Sequence, residues 1–259
     1  MAEFSPTIHV ERVDGVALVT IDRPAARNAI DAATAAALGA AVEQTEADPD
    51  IMAVVLTGSG RVFCSGADLK VVARGELSSL YTSAGGFAGF VDAKRTKPWI
   101  AAVNGLALAG GCEIALACDM IVASEDAAFG LPEVTRGLIA AAGGLSRLPR
   151  ALPRRIAIEM IVTGARLPAN RAAELGMVNR LAPAGQVVAA ARGLAEEIAR
   201  NAPLAVRASL TIARSADDLD EAALNRMSLA AQDELAKTED FAEGARAFIE
   251  KREPQWKGR

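Results

Sequence analysis

Apolar runs alternate with alanine-rich stretches along the first half of the chain. Val16 to Ile21 (VALVTI) is a short apolar run that reads as a strand. Asp31 then stands as the N-cap of an alanine-rich helix reaching about Glu46, which Asp48-Pro49 stops. Ala53 to Thr57 is a continuous apolar strand ending in Gly58-Ser59-Gly60. Strand, helix and fully apolar strand in succession mark a crossover in a buried, largely parallel sheet, whose strands are covered on both faces. The pattern recurs with Trp99 to Val103 as strand, Asn104-Gly105 as turn, Ala109 to Cys118 as helix and Met120 to Ala123 as strand. A layered α/β protein is predicted.

Between these units, Val71 to Thr96 interleaves Leu77, Leu80, Tyr81, Phe87 and Phe90 with Gly75, Ser78-Ser79 and Gly85-Gly86. It is read as a helix whose early part is loose. After Arg150 helical spacing dominates: Arg154 to Thr163, Ala169 to Leu175, Ala184 to Arg200, Pro203 to Ser215, Leu219 to Leu235 and Thr238 to Lys251, with one short strand near Met177 to Leu181. Alanine-rich helices of this kind commonly pack on a neighbour or on a partner subunit.

Composition narrows the chemistry. The 259 residues are 51% hydrophobic and 23% charged, enough for a substantial core in one large domain or in a domain with an appended unit. The single histidine, His9, leaves almost nothing for Ser-His-Asp or Cys-His triads or for multi-histidine metal centres, and no metal site is expected. With 28 Lys and Arg against 32 Asp and Glu, the net charge of -4 provides no field to draw in nucleic acid or an anionic membrane. Cys64, Cys112 and Cys118 lack C-x-x-C spacing and read as buried thiols in a reducing, cytoplasmic compartment. The N-terminus carries Glu3 and no apolar core, so a secretory signal is not expected. The most apolar stretch, Trp99 to Ala123, is interrupted by Asn104-Gly105, Glu113 and Asp119, which a membrane span would not carry.

Phosphate-loop, dinucleotide and nucleophile-elbow motifs are missing from the sequence. Two glycine-rich turns that follow strands remain: Phe63 to Lys70 (FCSGADLK) and Ala107 to Glu113 (ALAGGCE). Such a turn opening into a helix leaves N–H groups without intrahelical partners, and these can hold an oxyanion. Taken singly, each turn reads equally as an ordinary strand-to-helix connection. Glu113 enters an otherwise apolar helix, where a buried charge is costly unless it is paired or functional; an acid favoured by the helix dipole is the alternative. In Phe129 to Glu133 (FGLPE), Gly130 and Pro132 stiffen a turn that aims Glu133, which reads either as a surface turn acid or, with Glu113, as a pair for general acid and base work.

Several segments in order then resemble the enoyl-CoA hydratase/isomerase (crotonase) superfamily. They are Ile21-Asp-Arg-Pro24 with Asn28-Ala29, Phe63 to Lys70, Pro98 to Asp119 with its N-G-x-A-x-x-G-G-C-E core, Phe129 to Glu133, Gly143-Gly144 with Arg147-Leu148-Pro149, Leu175 to Val178, and Phe248 to Arg252. The resemblance implies an α/β fold with a spiral core of repeated ββα turns over residues 1–200, holding the acyl-CoA site. It implies a C-terminal helical trimerisation region over 201–259, in a homotrimer or a homohexamer of paired trimers. The thioester oxygen would sit on the N–H groups of Ala67 and Gly110. Glu113 and Glu133 would be the catalytic pair that adds water across the C2=C3 bond of a 2-trans-enoyl-CoA: Glu113 deprotonates the water and Glu133 protonates C2.

Coenzyme A, part of the substrate and the reason no separate cofactor is expected, would be held by residues among Arg23, Arg27, Ala29, Ala67, Asp68, Leu69, Lys70, Gly110, Ala141 and Lys251. Two positions depart from the common hydratase pattern: Leu131 stands where glutamine is usual, and Ile139-Ala140-Ala141 replaces Ile-Pro-Gly. Alanine keeps the backbone N–H that the last position is expected to offer near the water, while restricting φ. A Δ3,Δ2-enoyl-CoA isomerase, a lyase similar to carnitinyl-CoA dehydratase, and a non-catalytic acyl-CoA-binding oligomer are the alternatives.

Overall fold

The first hairpin joins Ile8–Val13 (β1) to Val16–Ile21 (β2) through Asp14-Gly15, both at positive φ (50° and 77°) as a tight turn between twisted strands requires. The computed structural model containing it describes residues 7–259; Glu3, on which the reading of the N-terminus rests, lies outside them. Asp31 caps helix α1 (Ala32–Ala47), its carboxylate accepting from Thr34 N–H at 2.8 Å. Then β3 (Ala53–Gly58) pairs parallel with β2.

From here the chain spirals. Each turn lays one strand in a large sheet and the next in a small one: β3 then β4 (Val62–Cys64), with α2 (Leu69–Ala73) and a two-residue hairpin of β5 (Tyr81–Thr82) and β6 (Gly86–Phe87) following. Next come β7 (Trp99–Val103), β8 (Leu106–Leu108) and α3 (Gly110–Ala117), then β9 (Met120–Ser124) and β10 (Ala128–Gly130). Helices α4 (Gly144–Ala151) and α5 (Arg154–Thr163) lead to β11 (Arg166–Pro168), α6 (Ala169–Glu174), β12 (Arg180–Ala182) and α7 (Val187–Ala199). The chain ends in α8 (Pro203–Arg214), α9 (Glu221–Leu235) and α10 (Glu239–Glu250). The large sheet runs β1-β2-β3-β7-β9-β12 and the small one β11-β10-β8-β4, parallel except for the β1-β2 and β10-β11 pairs. This is the expected α/β spiral of ββα turns.

Both faces of the large sheet are covered at its centre, which is why β2, β3, β7 and β9 are mostly apolar, while the edge strands β1 and β12 carry charged residues. One face packs in a core that includes Phe63, Phe90, Trp99 and Phe129; the other lies under Val187, Ala191 and Ala195 of α7. Asn104 closes its turn by donating to the carbonyls of Gly58 and Gly60.

One helix expected from the sequence is absent. Residues 71–96 contain only the end of α2, a 3-10 turn over Leu77–Leu80 and the β5-β6 hairpin. Gly75, Gly86 and Gly89 take positive φ there, and Gly89 lies so close to the Ala35 carbonyl of α1 that a Cβ would fall 2.4 Å from it. Apolar spacing in this segment therefore marks which side chains turn inward. Helix α4, by contrast, was masked in the sequence by Gly143-Gly144 and by Pro149, which stands inside it.

Buried cations tie the layers together. Lys97 is fully buried and donates to the Thr45 and Asp48 carbonyls at the end of α1, where a cation meets the negative end of the helix. Arg95 lies 4.0 Å over the Phe90 ring, itself edge-on to Trp99, and donates to Ala117 O. Asp119 accepts from Trp99 N–H and from two guanidinium nitrogens of Arg214 at 2.7 and 2.8 Å, and Arg214 also donates to the carbonyls of Arg95 and Lys97. One side chain of α8 thus pins the C-terminal helices to the edge of β7. Arg214→Met should lower the urea-unfolding free energy by about 2 kcal/mol, the scale of hydrogen bonds to charged groups; an unchanged urea midpoint would show that the pair does not hold α8.

Candidate active site

Ala67 and Gly110 come together because glycines flank them. Gly66 (φ +90°) brings its Cα so near the Gly110 nitrogen that a Cβ on residue 66 would lie 2.8 Å from it. A Cβ on Gly110 would strike the Phe87 ring at 2.4 Å. Between them Ala109 holds φ 52° and ψ −130°, a conformation that alanine adopts only under strain, with its N–H bound to Gly130 O.

The peptide at residue 67 is oriented by its neighbours. Ile30 N–H donates to Gly66 O at 2.8 Å and Asp68 N–H donates to Ile30 O at 2.9 Å, a one-residue parallel bridge that turns the Ala67 N–H the other way. Among the described residues, the N–H of Ala67 and that of Gly110, the first residue of α3, donate to no protein acceptor. Two unclaimed donors on adjacent turns, one at the positive end of α3, can hold a carbonyl oxygen that gains charge.

Glu113 follows in the first turn of α3 and is only 3% exposed. Its Oε1 accepts from Gly144 N–H at 2.9 Å, where α4 begins. Burial pushes its carboxyl up to about 7; the Gly144 and Ala142 N–H groups and Arg147 oppose the shift and Glu133 adds to it. Glu133 stands half-buried in the 3-10 turn Pro132–Arg136, and its carboxyl is also raised by burial. Among the described residues its Oε2 is buried without a partner. Burial thus raises both carboxyls, and the charge of Glu133 adds to the shift of Glu113.

Other members of the site carried no role in the sequence reading. Tyr81 packs edge-on to Phe87 and feels the charges of Glu113 and Asp92, which together with burial raise its phenol. Arg147 donates to Ala142 O and Val91 O and lies 3.6 Å from Asp92. Gly143-Gly144, Arg147 and Ala141 were the sequence signals for this side of the pocket. The three cysteines form no disulfide among the described residues: Cys64 and Cys112 are buried, Cys118 is half-buried, and burial raises each thiol, those of Cys64 and Cys118 to about 12. His9, on β1, pairs with Asp22.

The residues expected to hold coenzyme A divide into groups. Arg27, Ala29, Ala67, Asp68, Leu69 and Lys70 lie together, because Ser65 N–H donates to Arg27 O and Ile30 bridges residues 66 and 68. Arg27 and Lys70 are exposed, and Leu69 is 55% exposed. Arg23 faces inward, onto Asp31, Asp68 and the Ala29 carbonyl. Ala141 spends its N–H on Ile139 O, so Ala142 and Gly144 are the backbone donors that face Glu113. Lys251 follows α10 in a left-handed conformation, and among the described residues no hydrogen bond joins it to any of these.

Two unclaimed peptide N–H groups and two carboxyls raised by burial, on turns that follow neighbouring strands of the small sheet, are the parts with which an acyl-activating site can polarise a carbonyl and move a proton. The family model for enoyl-CoA hydratase/isomerase matches residues 11–259, and the chain belongs to that family. It is 42% identical over 262 residues to a carnitinyl-CoA dehydratase of Proteus mirabilis, covering 99% of this chain and all of that one. The enoyl-CoA hydratase structure from Mycobacterium tuberculosis superposes with a TM-score of 0.94 at 45% identity, over 98% of this chain and 100% of that one. A carnitinyl-CoA hydratase structure from Mycobacterium avium matches at 49% identity and a TM-score of 0.78, over 99% of this chain and 100% of that one. The crotonase fold is thereby established.

The raised carboxyl of Glu113 has a consequence for stability. Its folded value of about 7 lies above the ordinary 4.5, so the folded state binds more protons between those pH values and loses stability as pH rises through them. Glu113→Gln keeps an acceptor for Gly144 N–H and removes the charge. It should match the parent chain near pH 4.5 and exceed it by up to about 3 kcal/mol at pH 8, read from urea midpoints; an equal gap at both pH values would contradict the assignment.

Proposed function

We propose that this protein is a hydro-lyase acting on 2-enoyl-CoA thioesters and their 3-hydroxyacyl counterparts, with Glu113 and Glu133 as its acid-base pair. The observation that carries the reading is the pairing of a partnerless Glu133 oxygen and a buried Glu113 with two unclaimed N–H groups, those of Ala67 and Gly110. In hydration the thioester oxygen rests on these N–H groups, each worth roughly 3 to 4 kcal/mol to the charged state. Glu113 takes a proton from water as its oxygen bonds to C3, and Glu133 delivers a proton to C2 as the enolate collapses. Dehydration is the reverse: Glu133 removes the C2 proton and Glu113 protonates the departing hydroxyl. Burial raises Glu113, the more deeply buried of the two, which suits it to carry the proton that dehydration delivers to the departing hydroxyl.

The acyl group is the finer question. Tyr81, 40% exposed on Phe87, and the exposed carboxylate of Asp92 form a wall suited to an acyl group with a quaternary ammonium, such as the carnitinyl group in the names of two relatives. Coenzyme A is bound as part of the substrate in this reading, with Arg27, Lys70 and the backbone of 67–69 at its entrance and no separate cofactor.

A division at about residue 200 into spiral core and C-terminal oligomerisation region fits the exposed apolar side chains of α9 and α10, Leu229 (68%) and Phe248 (85%) among them. We place the protein in solution as a homotrimer or a pair of trimers; sedimentation equilibrium returning monomers would remove that part. The absence of any helix long and apolar enough to cross a membrane among the described residues, with three unpaired cysteines, suits a cytoplasmic setting.

The test is loss of enoyl-thioester absorbance with crotonyl-CoA and longer enoyl-CoAs, and its gain with 3-hydroxybutyryl-CoA and carnitinyl-CoA. Turnover of at least one is expected, with a loss of about a hundred- to ten-thousandfold in kcat for either Glu113→Gln or Glu133→Gln. Glu113→Gln that isomerises 3-enoyl-CoAs at full rate would instead favour an isomerase, and tight acyl-CoA binding without any turnover would favour a binding protein.

A further inference from the structure

We infer that Arg23 is a positioning residue for the oxyanion site rather than a ligand of the coenzyme A phosphates, an inference that rests on the proposed acyl-CoA chemistry. Its side chain is 19% exposed and its guanidinium lies among protein acceptors: Nη2 is 2.9 Å from Asp31 Oδ2 and 3.3 Å from Asp68 Oδ2, and Nη1 donates to Ala29 O. A phosphate approaching it would meet two carboxylates already in place, and the cluster of one cation and two anions has no positive charge left over.

The three acceptors belong to the three pieces that hold the Ala67 peptide. Asp31 caps α1. Asp68 caps α2, accepting from Lys70 N–H at 3.0 Å. Ala29 precedes Ile30, whose two backbone bonds to Gly66 and Asp68 turn the Ala67 N–H outward. The backbone of Arg23 is itself fixed: Asn28 Oδ1 accepts from its N–H at 2.9 Å, and Asn28 Nδ2 reaches the carbonyls of Ser59 and Val62. Arg23 therefore locks Asp68 to the β2-α1 loop. Its planar fork makes these contacts at once, which a lysine ammonium cannot reproduce. Without it, the tilt of the 67 peptide rests on the Ile30 bridge, the α2 cap of Asp68 and the packing of Gly66, and a donor displaced by a fraction of an ångström no longer meets the oxygen where charge develops.

The experiment compares the parent chain with Arg23→Met, and with Asp68→Asn as a milder variant that keeps a capping side chain should Arg23→Met not fold. The first readout is the absorbance of bound 4-dimethylaminocinnamoyl-CoA, whose band moves to longer wavelength when its carbonyl is polarised by hydrogen bonds. The second is kcat and KM for the crotonyl thioesters of coenzyme A and of pantetheine, which lacks the nucleotide and its phosphates. Positioning predicts a red shift reduced by more than half in the variant. It also predicts a kcat loss of about tenfold to a hundredfold on both thioesters, short of the 10²–10³ for deleting a donor, with KM and probe affinity altered less than threefold. A full red shift in the variant, or a defect confined to KM for the coenzyme A thioester and absent with pantetheine, would overturn the inference. Failure of the parent chain to hydrate any thioester while it still shifts the probe would sink the hydro-lyase reading alone, and the spectral comparison would still decide the role of Arg23.

Discussion

A peptide N–H can stabilise a developing oxyanion only if the fold leaves it unclaimed, yet folds claim nearly all of their buried N–H groups. The spiral reconciles these demands. At Ala67 a single bridge to Ile30 uses the acceptor before it and the donor after it, so the middle N–H has no strand to pair with. At Gly110 the donor is orphaned because it opens α3, where helices leave their first N–H groups free. The two turns can then touch only where side chains are absent, which fixes glycine at 66 under the Gly110 nitrogen and at 110 under the Phe87 ring.

The same economy of space places the carboxyls. Since α3 must start at Gly110 to offer its N–H, its first turn carries Glu113 inward, against the start of α4. Gly144 is again without a side chain where a Cβ would lie 3.1 Å from Glu113 Oε1. Glu133 arrives from the neighbouring strand of the same small sheet, in the 3-10 turn directly after β10, whose Gly130 carbonyl in turn anchors Ala109. The two unclaimed N–H groups and both glutamates therefore belong to one connected object: α3, its strained entry at Ala109, and the turns packed on each side.

Much of this was legible in the sequence, and the reasons are local. A strand that must be buried on both faces reads as an unbroken apolar run, so β2, β3, β7 and β9 stood out. A capping carboxylate announced α1, and the glycine-rich turns announced the two places where the structure leaves a backbone N–H unclaimed, at Ala67 and Gly110. The segment from 71 to 96 misled because its apolar spacing comes from side chains turning inward between glycine bends. The role of Arg23 was hidden for a different reason. A basic residue near a substrate loop looks like a phosphate ligand until the carboxylates around it, Asp31 and Asp68, are seen together, and they lie 37 residues apart in the chain.

The lone histidine can now be weighed against the pair that stands where imidazole would otherwise act. A carboxyl near its ordinary value is ionised at neutral pH and is a poor acid, so a site built on glutamate must raise it. Imidazole needs no such help, because its ordinary value already lies near neutrality. Here burial supplies the shift for Glu113, and the neighbouring carboxyl adds to it, while two backbone N–H groups keep the charged form accessible. Glu133, half-buried, is raised by burial as well, so both carboxyls are shifted toward neutrality from the ordinary glutamate value. The destabilisation that accompanies a buried carboxylate is thus the means by which a chain with His9 committed to Asp22 obtains a proton donor near neutrality.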